Sequence, residues 1–283
     1  MQFATDKVGQ WSDDQEFKVD AERIKQYAAA TNDPIPAHAD GELAPPVFSV
    51  VPVWDVMGGA VGEVTPAEAF PFVVHGEQDM YFHRPILPGM VLRARAAPIG
   101  IHVKQSGTTV VSRIETRDES GDLVNEQYSV TFFRGVTGGE GKGETAPEHR
   151  FPEELRSAEP AAVAQQTFDL DQTYRYSTAS GDTVPIHLDE EFAKSVGLPG
   201  IIIHGLCTMA FTSWAAIGEL AAGEPALLKR LAVRFSKPVL PGETMTTRFW
   251  SAGERDGNTV YAFESTNPAG DAVIKDGVAE IAI

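Results

Sequence analysis

The chain has 283 residues, 42% hydrophobic and 22% charged, proportions ordinary for a soluble globular protein of one large or two average domains. Its 23 Lys and Arg face 40 Asp and Glu, a net charge of -17, which opposes non-specific binding to nucleic acid and to anionic membranes. The single cysteine, Cys207, excludes an intrachain disulfide or a cysteine metal cluster and reads as a small buried hydrophobe. The first ten residues carry no signal-type charge or apolar run. No segment reads as the roughly 20 apolar residues of a membrane span. A cytoplasmic protein with no membrane or nucleic-acid partner is expected.

From Asp20 to Thr31 the spacing of Ile24, Tyr27 and Ala28 predicts a short helix with Asp20 as its N-cap. Pro34 and Pro36 end it. Tyr27 to His38 then repeats at Tyr176 to His187: Tyr, five residues, Asp, two residues, Pro, one residue, His. Phe82-His83-Arg84-Pro85-Ile86-Leu87-Pro88-Gly89 resembles Phe235-Ser236-Lys237-Pro238-Val239-Leu240-Pro241-Gly242. Glu115, Gly121, Asp122 and Val124 match Glu264, Gly270, Asp271 and Val273 at constant offset. Three matches in the same order predict two copies of one fold. The division is 1–135, a linker 136–166 rich in Gly and Pro, and 167–283.

Each copy reads as a short helix, an Asp-Pro-His loop, an apolar helix and then strands. In the second copy Leu206 to Ala222 is apolar nearly all round, so its helix should be buried, with Gly223 as its stop. In the first, the matching stretch Val47 to Val64 carries Pro52 and Gly58-Gly59, so its helix should be shorter or broken. Strands are expected at Val91 to Ala96, Gly107 to Thr116 and Tyr128 to Arg134. Their counterparts are Lys229 to Phe235, Thr244 to Ser251, Thr259 to Ser265 and Ala272 to Ile281. Antiparallel strands wrapped on a buried helix make an α+β fold, the hot dog, here doubled.

Asp182 and His187 lie on a bent loop after Gly181, with Pro185 between them. A histidine near neutrality and a nearby carboxylate can share one water or hydroxyl, as acid and base, without a metal. A helix-ending Asp and a satisfied loop His fit the same spacing. Gly205, after His204, opens the long helix, where unsatisfied N–H groups and the helix dipole suit a developing negative charge.

Ser180-Gly181-Asp182-Thr183-Val184-Pro185-Ile186-His187, the run Asp189-Glu190-Glu191-Phe192-Ala193 and Ile201-Ile202-Ile203-His204-Gly205 together resemble the MaoC-like dehydratases, or (R)-specific enoyl-CoA hydratases, over about 30 residues. The duplicated layout extends the resemblance to most of the chain. It implies a double hot dog and a lyase that reversibly hydrates trans-2-enoyl-CoA to (R)-3-hydroxyacyl-CoA in acyl-CoA metabolism. It puts the catalytic pair on Asp182 and His187 and the oxyanion or substrate-binding roles on Gly205, His204, Gly181 and Val184. Val184 stands where the family has Asn, a departure that bears on substrate preference or rate. Two other readings remain, an acyl-CoA thioesterase and a non-catalytic acyl-CoA-binding protein.

Asp33 and His38 keep the spacing, but no His-Gly follows, so the first loop is expected to be inactive. Val47, Phe48, Val53, Trp54 and Met57 fit either an acyl tunnel or plain core. His75-Gly76-Glu77-Gln78 fits a structural or sheet-edge role. No HExxH, GxGxxG after a strand, or P-loop is present, so no metal or cofactor is expected and CoA enters as a substrate handle. Lys194, Lys229, Arg230, Arg234 and Lys237 are the local cations for its phosphates, or ordinary surface charge. With two copies in one chain, a monomer that mimics a dimer or a homodimer is expected.

Overall fold

The computed structural model describes residues 1–283. Strand β1 (Gln15–Lys18) precedes helices α1 (Ala21–Ala30) and α2 (Pro36–Ala39). A 3-10 stretch, Pro46–Val53, leads into α3 (Trp54–Val64). Then come β2 (Val73–Phe82), β3 (Val91–Lys104), β4 (Gly107–Arg117), β5 (Leu123–Arg134) and the short β6 (Lys142–Gly143). The rest is β7 (Ala162–Thr167), α4 (Gln172–Ser180), a 3-10 turn (Pro185–His187), α5 (Glu190–Ser195), α6 (Gly205–Leu220), β8 (Leu228–Phe235), β9 (Thr244–Arg255), β10 (Asn258–Thr266) and β11 (Ala272–Ala282).

The chain forms two compact units, and they do not follow the sequential division. One comprises Met1–Lys18, Pro52–Arg84 and Met90–Glu148; the other Val19–Val51, Pro85–Gly89 and His149–Ile283. The loop of the first copy, with α1 and α2, thus belongs to the second unit. The reason is packing. Tyr27 of α1 and Tyr176 of α4 are fully buried against each other, with ring centroids 5.7 Å apart. Gln172 Nε2 donates to the Ala30 carbonyl, and Trp214 Nε1 donates to Thr31 O at 3.1 Å.

In the first unit the antiparallel order is β1-β3-β4-β5-β2, with β6 on β3. α3 lies on β3 and β4. Val61 and Val64 of α3 pack with Phe3, Ile101, Val110 and Phe133. In the second unit the order is β7-β9-β10-β11-β8, the same permutation of matching strands. This repeated order is the duplication in structural form. α6 lies against β7 and β8 and buries eleven of its sixteen residues, among them Met209, Phe211 and Ile217. Burying each such large side chain contributes about 1.5–3 kcal/mol. Gly223, at φ 82°, closes the helix as its position predicts.

The first copy's helix is shorter, as Pro52 implies: Pro52 sits in the 3-10 stretch and only Trp54–Val64 is α-helical, while Gly58-Gly59 lie inside α3 and do not break it. Three features were missed or misplaced. β1 and β2 lack a clear alternating apolar pattern and were not anticipated. The segment 136–166, expected as linker, contributes β6 and β7; β7 is a full edge strand on β9, built from the Gly- and Pro-free run Ala162–Thr167. Pro46–Val64 has the length and hydropathy (1.4) to cross a membrane, contrary to the reading that nothing approaches a span. Two-thirds of its most apolar window is buried inside the protein, the signature of a core helix.

Candidate active site

Gly181 ends α4 in the left-handed region at φ 90°, and its N–H donates to Ser177 O at 2.9 Å. Glycine enters that region at little cost, so the chain can turn sharply there. Asp182 N–H then donates to Ser180 Oγ, and Asp182 Oδ1 accepts the Val184 N–H, both at 3.1 Å. This side-chain turn aims the carboxyl, and Pro185 fixes the start of the 3-10 turn that carries His187.

His187 Nδ1 donates to the Ile202 carbonyl at 2.8 Å. A carbonyl only accepts, so Nδ1 carries the hydrogen and Nε2 keeps its lone pair. Ile202 N–H in turn donates to Ile186 O at 3.2 Å, tying the loop to the strap before α6. His204 is the N-cap of α6, and its Nε2 donates to the Asp182 backbone oxygen at 3.2 Å. The His187 and His204 rings stack with centroids 3.8 Å apart and planes at 22°. Polar atoms of Asp182, His187 and His204 lie within 4.8 Å of one another. Gly205 opens α6, where its N–H has no acceptor within the helix. A Cβ at Gly205 would sit 3.2 Å from the Phe235 ring, so the close approach suits glycine.

Burial moves the two reactive groups past each other. Desolvation raises the Asp182 carboxyl to about 6, only partly offset by the Val184 N–H. It lowers the His187 imidazole to about 4, opposed by the bond to Ile202. Two groups pushed apart in this sense make a carboxylic acid that donates and an imidazole that accepts. Burial, with His187 alongside, lowers His204 to about 2, so it stays neutral.

The stretch 153–272 matches the family described as MaoC like domain, and 6–127 matches the FAS1-like dehydratase domain region. The chain is 31% identical to 3-hydroxyacyl-thioester dehydratase Y of Mycobacterium tuberculosis over 254 residues, covering 86% of this chain and 83% of that protein. The chain belongs to the MaoC-like dehydratase family. A crystal structure of a MaoC-like dehydratase from Phytophthora capsici superposes with a TM-score of 0.84 at 26% identity, covering 99% of each chain. The expected α+β double hot dog stands. Mouse peroxisomal multifunctional enzyme type 2 is 30% identical over 86% of this chain. The chain spans about a third of the length of the peroxisomal multifunctional enzymes it matches (32% in mouse, 31% in Drosophila melanogaster).

Within this MaoC-like chain the structure sorts the other sequence candidates. Asp182, His187, His204 and Gly205 come together, and Gly181 shapes the loop. Val184 offers its N–H to Asp182 while its side chain is 44% exposed. His204, expected to bind substrate or oxyanion, is 1% exposed and turned to a backbone oxygen. His75 lies within β2 and bonds Gln78 Oε1 at 3.0 Å and Ser129 Oγ at 3.3 Å, a structural role, with burial lowering it to about 4. Val47, Phe48, Val53 and Met57 are buried. Arg230 is corrected: it is 3% exposed and paired with Glu280 at 3.1 Å, because β8 turns it inward. Lys194 pairs with Glu190 and Arg234 with Asp276, while Lys229 donates to Ala226 O. Lys237 is exposed.

Asp182, His187 and His204 are close enough to suggest a metal, but near-parallel stacked rings send their lone pairs side by side rather than to one point. Sequence reasoning missed the Ile202 carbonyl and the Tyr27–Tyr176 pair. The duplicated Tyr that starts both repeats was the available signal for the second.

Proposed function

We propose that the chain reversibly hydrates trans-2-enoyl-CoA to (R)-3-hydroxyacyl-CoA. The supporting observation is the raised carboxyl of Asp182 beside the lowered imidazole of His187, at the start of a helix that begins with Gly205. Hydration starts with Asp182 protonated and His187 neutral. His187 Nε2 takes a proton from water as the water oxygen bonds to C3. The π electrons move onto the thioester oxygen, which the Gly205 N–H receives; one such donor is worth roughly 10²–10³ in rate. Asp182 gives its proton to C2 as the enolate collapses. The His187 imidazolium returns a proton to Asp182, and the pair is restored. Dehydration runs the same steps backwards.

The set Asp182, His187 and Gly205 comes from a single chain, so a monomer suffices, and a homodimer would carry two such sets. Lys237 is the exposed cation offered to a CoA phosphate. The working location is the cytoplasm, in keeping with the net charge of -17. Incubation with crotonyl-CoA tests the reading. Loss of enoyl absorbance without release of thiol supports it, and Asp182→Asn or His187→Ala should lower turnover by orders of magnitude with the fold intact. Thiol release from a saturated acyl-CoA would mean a thioesterase, and full turnover by either variant would remove the roles assigned.

A further inference from the structure

Three hydrogen bonds join the loop 180–187 to the start of α6. Two are made by Ile202: its N–H to Ile186 O, and its carbonyl to His187 Nδ1. The third runs from His204 Nε2 to the backbone oxygen of Asp182, 22 residues earlier. It is the one side-chain link that spans from the catalytic acid to the residue beside Gly205. His204 does more than span. Its ring lies 3.8 Å from that of His187, and Tyr176 touches it with centroids 4.9 Å apart. Its Nδ1 is buried with no partner. A ring with one edge in a backbone bond and the other enclosed cannot reach a substrate.

We infer that His204 is a positioning residue: as the Nε2–H tautomer it registers Asp182 against the Gly205 N–H and forms the floor on which His187 stacks. The inference rests on the hydratase reading. It assigns His204 a job distinct from the oxyanion or substrate contact that its place in the sequence suggested. The chemistry of the bond fixes the tautomer, because the Asp182 carbonyl can only accept. The carboxyl that delivers a proton to C2 and the N–H that holds the enolate oxygen sit on different elements. Their relative placement must hold to a fraction of an ångström, since a displacement of about 1 Å costs roughly 10²-fold in rate. The Asp182 backbone is otherwise held by its own N–H to Ser180 Oγ, within the same loop. Loss of the His204 bond would therefore free the acid without unfolding the loop.

Two substitutions separate the bond from the ring. His204→Gln keeps a donor at the reach of Nε2 and loses the aromatic face. His204→Phe keeps the face and loses the donor. With crotonyl-CoA, His204→Phe should lose about 10²-fold in kcat with KM within about twofold, and His204→Gln should stay within about tenfold of the natural chain. Both should retain the circular dichroism of the natural chain. Wild-type kcat in folded His204→Phe overturns the inference, as does a loss carried by KM alone or a His204→Gln variant as slow as His204→Phe. The natural chain supplies a second measurement that needs no variant. Imidazole ¹⁵N NMR should show His204 with Nε2 protonated and Nδ1 pyridine-like, unchanged from pH 5 to 9; the opposite tautomer, or a titration in that range, overturns it. A natural chain that fails to hydrate crotonyl-CoA, yet shows this tautomer, would count against the hydratase reading and leave the placement of His204 standing.

Discussion

His38 Nδ1 lies 2.8 Å from a carboxylate oxygen of Asp33, a direct acid–base contact that the equivalent pair, Asp182 and His187, does not make. The two loops share one spacing, yet their histidines turn to different partners. In the second loop the Ile202 carbonyl takes the Nδ1–H, which leaves the Asp182 carboxyl to face the reaction. The first loop has a like strap, with Leu43 N–H donating to Ala37 O at 3.1 Å, but there the histidine closes on its own acid. Both groups are buried, His38 fully, and the other Asp33 oxygen accepts the Ile35 N–H at 2.9 Å. The bond holds the loop together, and the complete enclosure of His38, whose Nε2 is buried without a partner, keeps the pair from any substrate.

Asp33→Ala should therefore weaken the fold and spare the reaction. It strips the acceptor from two buried donors, at about 1–3 kcal/mol each, so a loss of roughly 2–6 kcal/mol is expected. Denaturant unfolding reads the loss, and kcat on crotonyl-CoA should stay within about threefold. A collapse of kcat in a protein of unchanged stability would mean that the first loop takes part in catalysis.

This contrast also shows what the sequence could carry. The repeat of Tyr27 to His38 at Tyr176 to His187 was legible because duplication preserves spacing, and the buried helix was legible from its all-round apolar composition. The helix break followed from Pro52 alone. What stayed hidden depends on contacts between distant residues. Nothing local says that α1 and α2 pack in the same unit as α4, or that Arg230 points inward toward Glu280. β7 was hidden because the Gly and Pro around it outweighed six residues of strand. His204 was legible as part of a site, but its role required knowing where the Asp182 carbonyl lies.

The rate should peak on the acid side of neutrality. The working form holds one proton on the pair, with Asp182 near 6 and His187 near 4. Below about 4 both are protonated and His187 has no lone pair to offer; above about 6 both are deprotonated and Asp182 has nothing to give. Hydration and dehydration use the same one-proton form, so kcat/KM should show one bell in both directions. In kcat the alkaline limb should lie higher, because a bound acyl chain dries the site further and favours the neutral carboxyl. A hydration rate flat from pH 6 to 9 would mean that Asp182 works as the carboxylate.

Asp182→Asn should abolish the proposed hydration and stabilise the protein at alkaline pH. The folded value, about 6, lies above the ordinary 3.8, so the carboxyl favours the folded state least once it is ionised in both states. The penalty is absent below 3.8, grows as pH rises to 6, and above that amounts to about 3 kcal/mol. Asparagine keeps an oxygen for the Val184 N–H and carries no charge. Chemical denaturation at pH 8 should show a gain of about that size, and at pH 4 almost none. An equal gain at both pH values would point to packing in place of desolvation.

Val184→Asn should raise activity with no change in stability. The Val184 side chain is exposed, so replacing it should move stability by no more than about 0.5 kcal/mol. Its N–H already holds Asp182 Oδ1, so the side chain is carried at a fixed distance from the acid. An asparagine amide there adds a donor and an acceptor beside the reacting atoms. One hydrogen bond of about 1 kcal/mol gained in the transition state corresponds to roughly fivefold in kcat/KM. The comparison is made on crotonyl-CoA and on a long-chain enoyl-CoA at matched pH. A gain on both is expected. A loss confined to the long chain would mean that Val184 serves as an apolar contact for the acyl group, and that its departure from the family's asparagine is an adaptation to that substrate.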